Sequence, residues 1–204
     1  MKYIYTYLDI ENAKEYYEAI DMNFVCFNYK SYAIDKIKFA LNEHYNGSIN
    51  HQYAFASFLY YHTIRKDEIY TSVGMIKNLT IINHIPSLYL YGLMMKDGKV
   101  VKDEKTSFDC LKKASRKHFA LATFELGKMY HKGEYVKQNI KKGIKLIKKA
   151  SKECSEAMVY LATWYLKEQS DYKNAMKYYQ NAARCGNQKA IKILKLKEEN
   201  KDEN

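Results

Sequence analysis

The chain has 204 residues, 47% of them hydrophobic and 28% charged, with a formal net charge of +11. One proline, eight glycines and no apolar run near the roughly 18 to 20 residues of a membrane span exclude a polytopic membrane protein and a chain divided by Pro/Gly-rich linkers. Four cysteines (Cys26, Cys110, Cys154, Cys185) without a CxxC pair argue against a disulfide framework and for reduced, structural thiols.

The N-terminus Met1–Asp9 is too polar for the apolar core of a secretory signal, so the expectation is a soluble cytoplasmic protein, or one exported without a cleaved signal. Asp9 to Ile20 reads as an amphipathic helix, and Ser31 to Tyr45 carries Ala33/Ile34, Ile37, Ala40/Leu41 and Tyr45 at a helical period before stopping at Asn46-Gly47. Gln52 to Ile64 and Glu68 to Ile82 read as the next pair of helices. Pro86 then suits the first turn of another, where its missing N–H costs nothing. The 21 tyrosines are read as filling amphipathic faces rather than as stacking platforms.

From Ser87 the text repeats. Residues 87–102 align with 122–137 at an offset of 35, bringing Gly92 onto Gly127, Gly98 onto Gly133 and Val101 onto Val136. Lys112-Lys113-Ala114-Ser115 returns as Lys148-Lys149-Ala150-Ser151, and a third, shortened copy opens at Ala157. A period of this size signals stacked helical hairpins, each burying a face against the next. The expected helices run to about Lys96, then over 104–117, 119–131, 139–152, 155–168 and 171–184. Residues 1–86 read as divergent helical hairpins, 87–121 and 122–156 as full repeats, 157–186 as a shortened one, 187–197 as a capping helix and 198–204 as a disordered tail.

The residue choices inside a repeat have physical reasons. Gly127 leaves room for the second helix of the hairpin, and Gly98 and Gly133 can take the left-handed conformation that ends the first. Val101 and Val136 are expected to plug the space between the two helices. Ile140, Ile144 and Ile147 form the expected buried stripe of the second helix.

The pattern from Ala122 to Asn139, with Leu126-Gly127, Met129-Tyr130, Gly133, Val136 and Gln138-Asn139, followed by Lys148-Lys149-Ala150-Ser151 and Ala157, resembles the Sel-one-like repeat, a relative of the tetratricopeptide repeat. The resemblance implies an all-α fold, a right-handed superhelical solenoid of antiparallel helix hairpins. It also implies a non-catalytic adaptor that holds other proteins; some bacterial members of the family serve in host interaction, secretion-system immunity or signalling. A few secreted, cysteine-rich members are linked to β-lactam binding or hydrolysis, but this chain lacks their regular cysteines.

No grouping of residues argues for an enzyme. The six histidines are scattered and form no HExxH or His-x-His pattern, no Gly-rich phosphate loop is present, and the carboxylate neighbours are of the kind surface helices carry routinely. No cofactor and no metal site are expected. By helix phase Tyr89, Leu93, Lys96, Phe124, Lys128, His131, Thr163 and Leu166 should line a partner-binding groove, together with Val159. Alternatively, Phe124 and Val159 simply pack against the neighbouring hairpin.

Charge supplies the other candidate surface, because residues 101–150 carry +9 of the net +11. Lys141, Lys145, Lys148 and Lys152 form one stripe, flanked by Lys142 and Lys149, and Lys112 and Lys113 lie on the equivalent helix one repeat earlier. This patch either steers an acidic or peptide-like protein partner, binds a polyanion such as nucleic acid, or is a solvated outer face. Lysines without interleaved arginine and aromatic residues argue against base readout.

Overall fold

The computed structural model describes residues 49–62 and 64–202, and every described element of secondary structure is helical. The chain divides into two compact units, Met1–Cys110 and Leu111–Asn204, taken in turn. The helices expected over Asp9–Ile20 and Ser31–Tyr45 lie outside the described residues.

In the first unit α1 (Ile49–His62), α2 (Lys66–Ile81) and α3 (Ile85–Asp97) follow one another, and α4 (Glu104–Arg116) begins before the unit ends. Ala56, Tyr60, Ile76, Leu79, Leu90, Met94 and Met95 form one buried cluster drawn from α1, α2 and α3. Pro86 sits in the first turn of α3, as its chemistry requires. Gly98 ends that helix at φ +70° with its N–H donating to the Met94 carbonyl. The loop beyond it is fixed by polar contacts: Lys99 Nζ donates to the Tyr60 carbonyl at 3.0 Å and lies 4.4 Å from the Tyr60 ring centroid. Asp103 then starts α4 by accepting from the Thr106 N–H at 2.9 Å. Val101, expected as a plug, is instead 56% exposed, because Lys99 and Asp103 already anchor the loop from either side.

The second unit holds the last turns of α4, then α5 (Ala120–Lys132), α6 (Ile140–Ala150), α7 (Ser155–Glu168), α8 (Tyr172–Arg184) and α9 (Gln188–Asp202). These form successive hairpins, α5 against α6 and α7 against α8, with α9 packed on α8. One buried cluster joins Phe124, Ile144, Ile147, Ala150, Cys154, Ala157 and Leu161; a second joins Val159, Ala162, Tyr179, Ala182 and Ala190. The helix starts carry polar caps, Asn139 accepting from the Lys142 N–H at 2.8 Å and Asp171 from the Asn174 N–H at 3.0 Å. Gly133 ends α5 at φ +77°. Val136 is only partly buried, and the loop is held by backbone-directed bonds, Gln138 Nε2 to the His131 carbonyl at 3.0 Å and the Asn139 N–H to the Tyr130 carbonyl at 2.7 Å.

Two expectations for this unit need correction. Ile144 and Ile147 are buried, but Ile140, the first residue of α6, is 50% exposed and borders an open depression beside Trp164. The closing helix does not stop at 197: its backbone stays helical to Asp202, through residues expected to be disordered. Without apolar side chains there, the extension rests on intrahelical hydrogen bonds and on the helix-forming preference of Lys and Glu.

The tightest constraint is the approach of α6 to α5. A Cβ placed on Gly143 would lie 2.6 Å from the His131 nitrogen and 2.8 Å from the Gly127 oxygen, and one on Gly127 would lie 2.6 Å from Ile147 Cγ1. Gly143→Ala therefore meets backbone that cannot rotate away. It is expected to cost about 1–3 kcal/mol despite the roughly 0.5–1 kcal/mol that alanine gains over glycine inside a helix. Gly74, exposed in α2 with nothing within 4 Å of its Cβ position, is the control: Gly74→Ala should stabilise. Urea denaturation of both variants reads the two signs.

Acid sensitivity comes from histidine burial. Burial holds His84 below the ordinary histidine range, and its Nδ1 lies 2.7 Å from Ser87 Oγ; burial and then the nearby Lys99 do the same for His62. Between the unfolded value of 6.5 and the lower folded values the unfolded chain binds more protons. Stability is therefore fully present above that window and falls as pH drops through it. Urea midpoints should decrease from about pH 7 to about pH 5.5, and His84→Gln should show a smaller decrease.

Candidate functional site

The groove residues expected from sequence belong to both units. In the first, Tyr89, Leu93 and Lys96 are half-buried on α3.

In the second unit three of them come together on α5. Lys128 Nζ pairs with Glu125 Oε1 at 2.6 Å and lies 4.8 Å from the Phe124 ring centroid. His131 Nδ1 is 2.9 Å from the hydroxyl of Tyr160 on α7, whose ring stands edge-on to both Phe124 and His131. Burial, then the charges of Glu134 and Glu125, push the Tyr160 phenol above its ordinary range. The phenol thus keeps its proton and meets His131 Nδ1 as a neutral hydroxyl. Lys128, His131 and Tyr160 are half-buried. They offer an ammonium held by Glu125, a hydrogen-bonding ring and an aromatic edge on one surface.

The remaining groove residues separate. Phe124 is 7% exposed and Val159 likewise, so both belong to the buried clusters and not to an open surface. Thr163 Oγ1 donates to the Val159 carbonyl at 3.0 Å and lies 3.1 Å from the Tyr179 hydroxyl, so this side chain faces α8 within its own hairpin. Leu166 is exposed near the end of α7. Tyr160 was missed by helix phase: it occupies the repeat position of the buried Glu125, where the pattern promises no open contact.

The basic patch is present as charge on α6. Lys141, Lys145, Lys148, Lys149 and Lys152 are exposed, as is Lys113, whereas Lys112 is half-buried. Several lysines rest on rings: Lys142 Nζ is 3.8 Å from the Tyr130 centroid and Lys148 Nζ 5.3 Å from that of Tyr165. The hydrogen bond to Tyr165 holds Lys148 above the ordinary lysine value. Lys149 Nζ lies 3.5 Å from His118 Nδ1. These aromatic contacts sit on the lysine stripe itself, interleaving that is not visible from linear order.

No group of three or more His, Cys, Asp or Glu among the described residues is placed to hold a metal ion, and no described helix is long and apolar enough to cross a membrane. Cys154 is buried with its thiol pushed up to about 12, chiefly by burial, which makes it a packing residue and not a nucleophile.

The family model for the Sel1 repeat matches residues 85–119, 120–153 and 155–187. Among solved structures the chain resembles a Sel1 repeat protein from Oxalobacter formigenes, with TM-score 0.63 and 18% identity over 91% of this chain and 86% of that one. It also resembles an immunity protein from Pseudomonas aeruginosa, with TM-score 0.62 and 19% identity over 88% of this chain and 68% of that one. A protective antigen of uropathogenic Escherichia coli displaying an SLR fold gives TM-score 0.61 and 21% identity over 79% of this chain and 35% of that one. At these identities the likeness establishes the helical-repeat fold. No curated protein matches the sequence.

The His131–Tyr160 bond links two successive hairpins. Tyr160→Phe keeps the ring packing and removes the hydroxyl, so it should cost about 0.5–1.5 kcal/mol in denaturation. A loss larger than that would mean the hydroxyl holds more than His131.

Proposed function

We propose, from the premise that this chain belongs to the Sel1 repeat family, that it is a non-catalytic scaffold holding a protein partner on the first-helix face of its second unit. The observation that carries this reading is the Lys128–His131–Tyr160 surface, which offers charge, hydrogen bonding and aromatic area while its neighbours Phe124 and Glu125 are buried beneath. Sel1 repeat proteins mediate protein–protein interaction as a family, and stacked hairpins of this kind bind through such faces. Tyr89, Leu93 and Lys96 offer a corresponding half-buried face in the first unit. The lysines of α6 favour an acidic partner by steering its approach. The cytoplasm is the compartment that fits this reading, with Cys154 and Cys185 serving as thiols.

The test is affinity capture from nuclease-treated lysate of the source organism at low and moderate salt, read by mass spectrometry. A discrete protein retained at moderate salt and lost with the Lys128→Ala, His131→Ala double variant is the expected outcome. Undiminished retention by that variant, at unchanged helicity, would sink the assignment of this face. Recovery of nucleic acid alone would sink the adaptor reading itself.

A further inference from the structure

A cavity of about 330 Å³ opens between α6 and α7, lined by Ile140, Lys141, Ile144, Lys145, Lys148 and Trp164. It is a shallow depression open to solvent, suited to the side of a macromolecular segment and not to an enclosed small ligand. Its floor is apolar and its rim is cationic. Ile140, half exposed, forms a lip where a buried position was expected. Along the rim Lys141, Lys145 and Lys148 stand at i, i+4 and i+7, a row about 10 Å long at the rise of an α-helix. Among the described residues none of these three lysines is in an ion pair, and α6 carries no acidic residue.

Trp164 breaks the repeat rule. Met94, Met129 and Trp164 recur at intervals of 35, and both methionines are buried at 1% and 2% exposure. The tryptophan at the same place is only half-buried, stands edge-on to Tyr165 with centroids 5.0 Å apart, and faces the cavity. A core position of the repeat has here been enlarged into an accessible aromatic surface.

We infer that this cavity is a docking site for an acidic amphipathic protein segment, whose apolar side chains seat on Ile140 and Trp164 while its carboxylates meet Lys141, Lys145 and Lys148. The inference rests on the scaffold reading only in taking the occupant to be protein; the face is a different one. A helix with acidic residues at i, i+4 and i+7 presents the same spacing as the lysine row and lays an adjacent apolar stripe into the groove. Single-stranded nucleic acid is the competing occupant, since Tyr165 also stands beside Lys148, but the apolar floor of Ile140 and Ile144 favours the apolar side chains of a protein segment.

Trp164 is the chain's one tryptophan, so its fluorescence reports on the cavity directly. The probe is a helix-forming peptide of glutamates with a pair of leucines one turn apart and no aromatic residue, titrated at low salt into the full chain. A saturable blue shift of Trp164 emission is expected, weakening as salt is raised. Lys141→Glu with Lys145→Glu should reduce affinity about tenfold or more at unchanged far-ultraviolet circular dichroism, and Ile140→Ser several-fold. Emission that does not move, or equal binding by the charge-reversed variant, would overturn the inference. So would equal binding of a peptide with its leucines changed to serine, or of oligothymidylate, which would mark a charge-only surface. The peptide and salt comparisons use the native protein and stand even if the charge-reversed variant fails to fold. Failure at Trp164 would leave capture of a partner through Lys128 and His131 standing, and the converse also holds.

Discussion

The second unit depends on one close approach, that of Gly127 on α5 to Gly143 on α6. Neither position has space for a Cβ, and the atoms that would be struck are mostly backbone. Removing both side chains lets the helices meet along their main chains, which then turns Ile144 and Ile147 onto α5 and α7. The entropic cost of two helical glycines, roughly 1 kcal/mol each, is offset by full burial of Ile147 and Leu161. Each of these side chains contributes about 1.5–3 kcal/mol by leaving water. Packing outweighs propensity here, and the helix pair exists because of it.

Fixing the buried side of α6 also fixes what it exposes. With Gly143, Ile144, Ile147 and Ala150 inward, Lys141, Lys145 and Lys148 have no direction but outward. The five lysines within α6 repel one another, and the aromatic rings beside Lys142 and Lys148 relieve part of that repulsion. Ile140 shares the phase of Ile144 and Ile147 but stands at the first position of α6, where its side chain borders an open depression. The stripe rule specifies a direction around the helix and not a distance along it.

Much of the fold was legible because it is built from repeated local rules. The offset of 35 and the left-handed Gly98 and Gly133 follow from residue chemistry, and the helix boundaries from 85 to 184 lie within one or two residues of those read from sequence. Gly143 was not recognised, because a glycine in a lysine-rich helix looks like an accident until its partner Gly127 is placed opposite. The loop plug failed at Val101 because apolar character alone does not bury a residue when a lysine and an aspartate already tie the loop. The extent of the final helix was misjudged because the absence of apolar residues removes tertiary support but leaves helix propensity in place.

The surface was less legible, for a reason intrinsic to repeats. Side chains that define the period, such as Leu126, Gly127 and Met129, are buried, so similarity between copies reports packing and says little about contacts. Two half-exposed positions are where copies differ: Tyr160 stands where Glu125 does, and Trp164 where Met94 and Met129 do. Departures from the period are thus the informative positions. The larger aromatic at a core methionine position still packs against the Ile144–Leu161 cluster, and its remaining exposed edge lies beside a rim of three lysines. The equivalent methionines are fully buried, so the part of the indole left accessible is area the packing of the other copies does not use. That surplus, set beside charges that no neighbouring acid neutralises, is the feature that most separates this scaffold from a generic stack of hairpins.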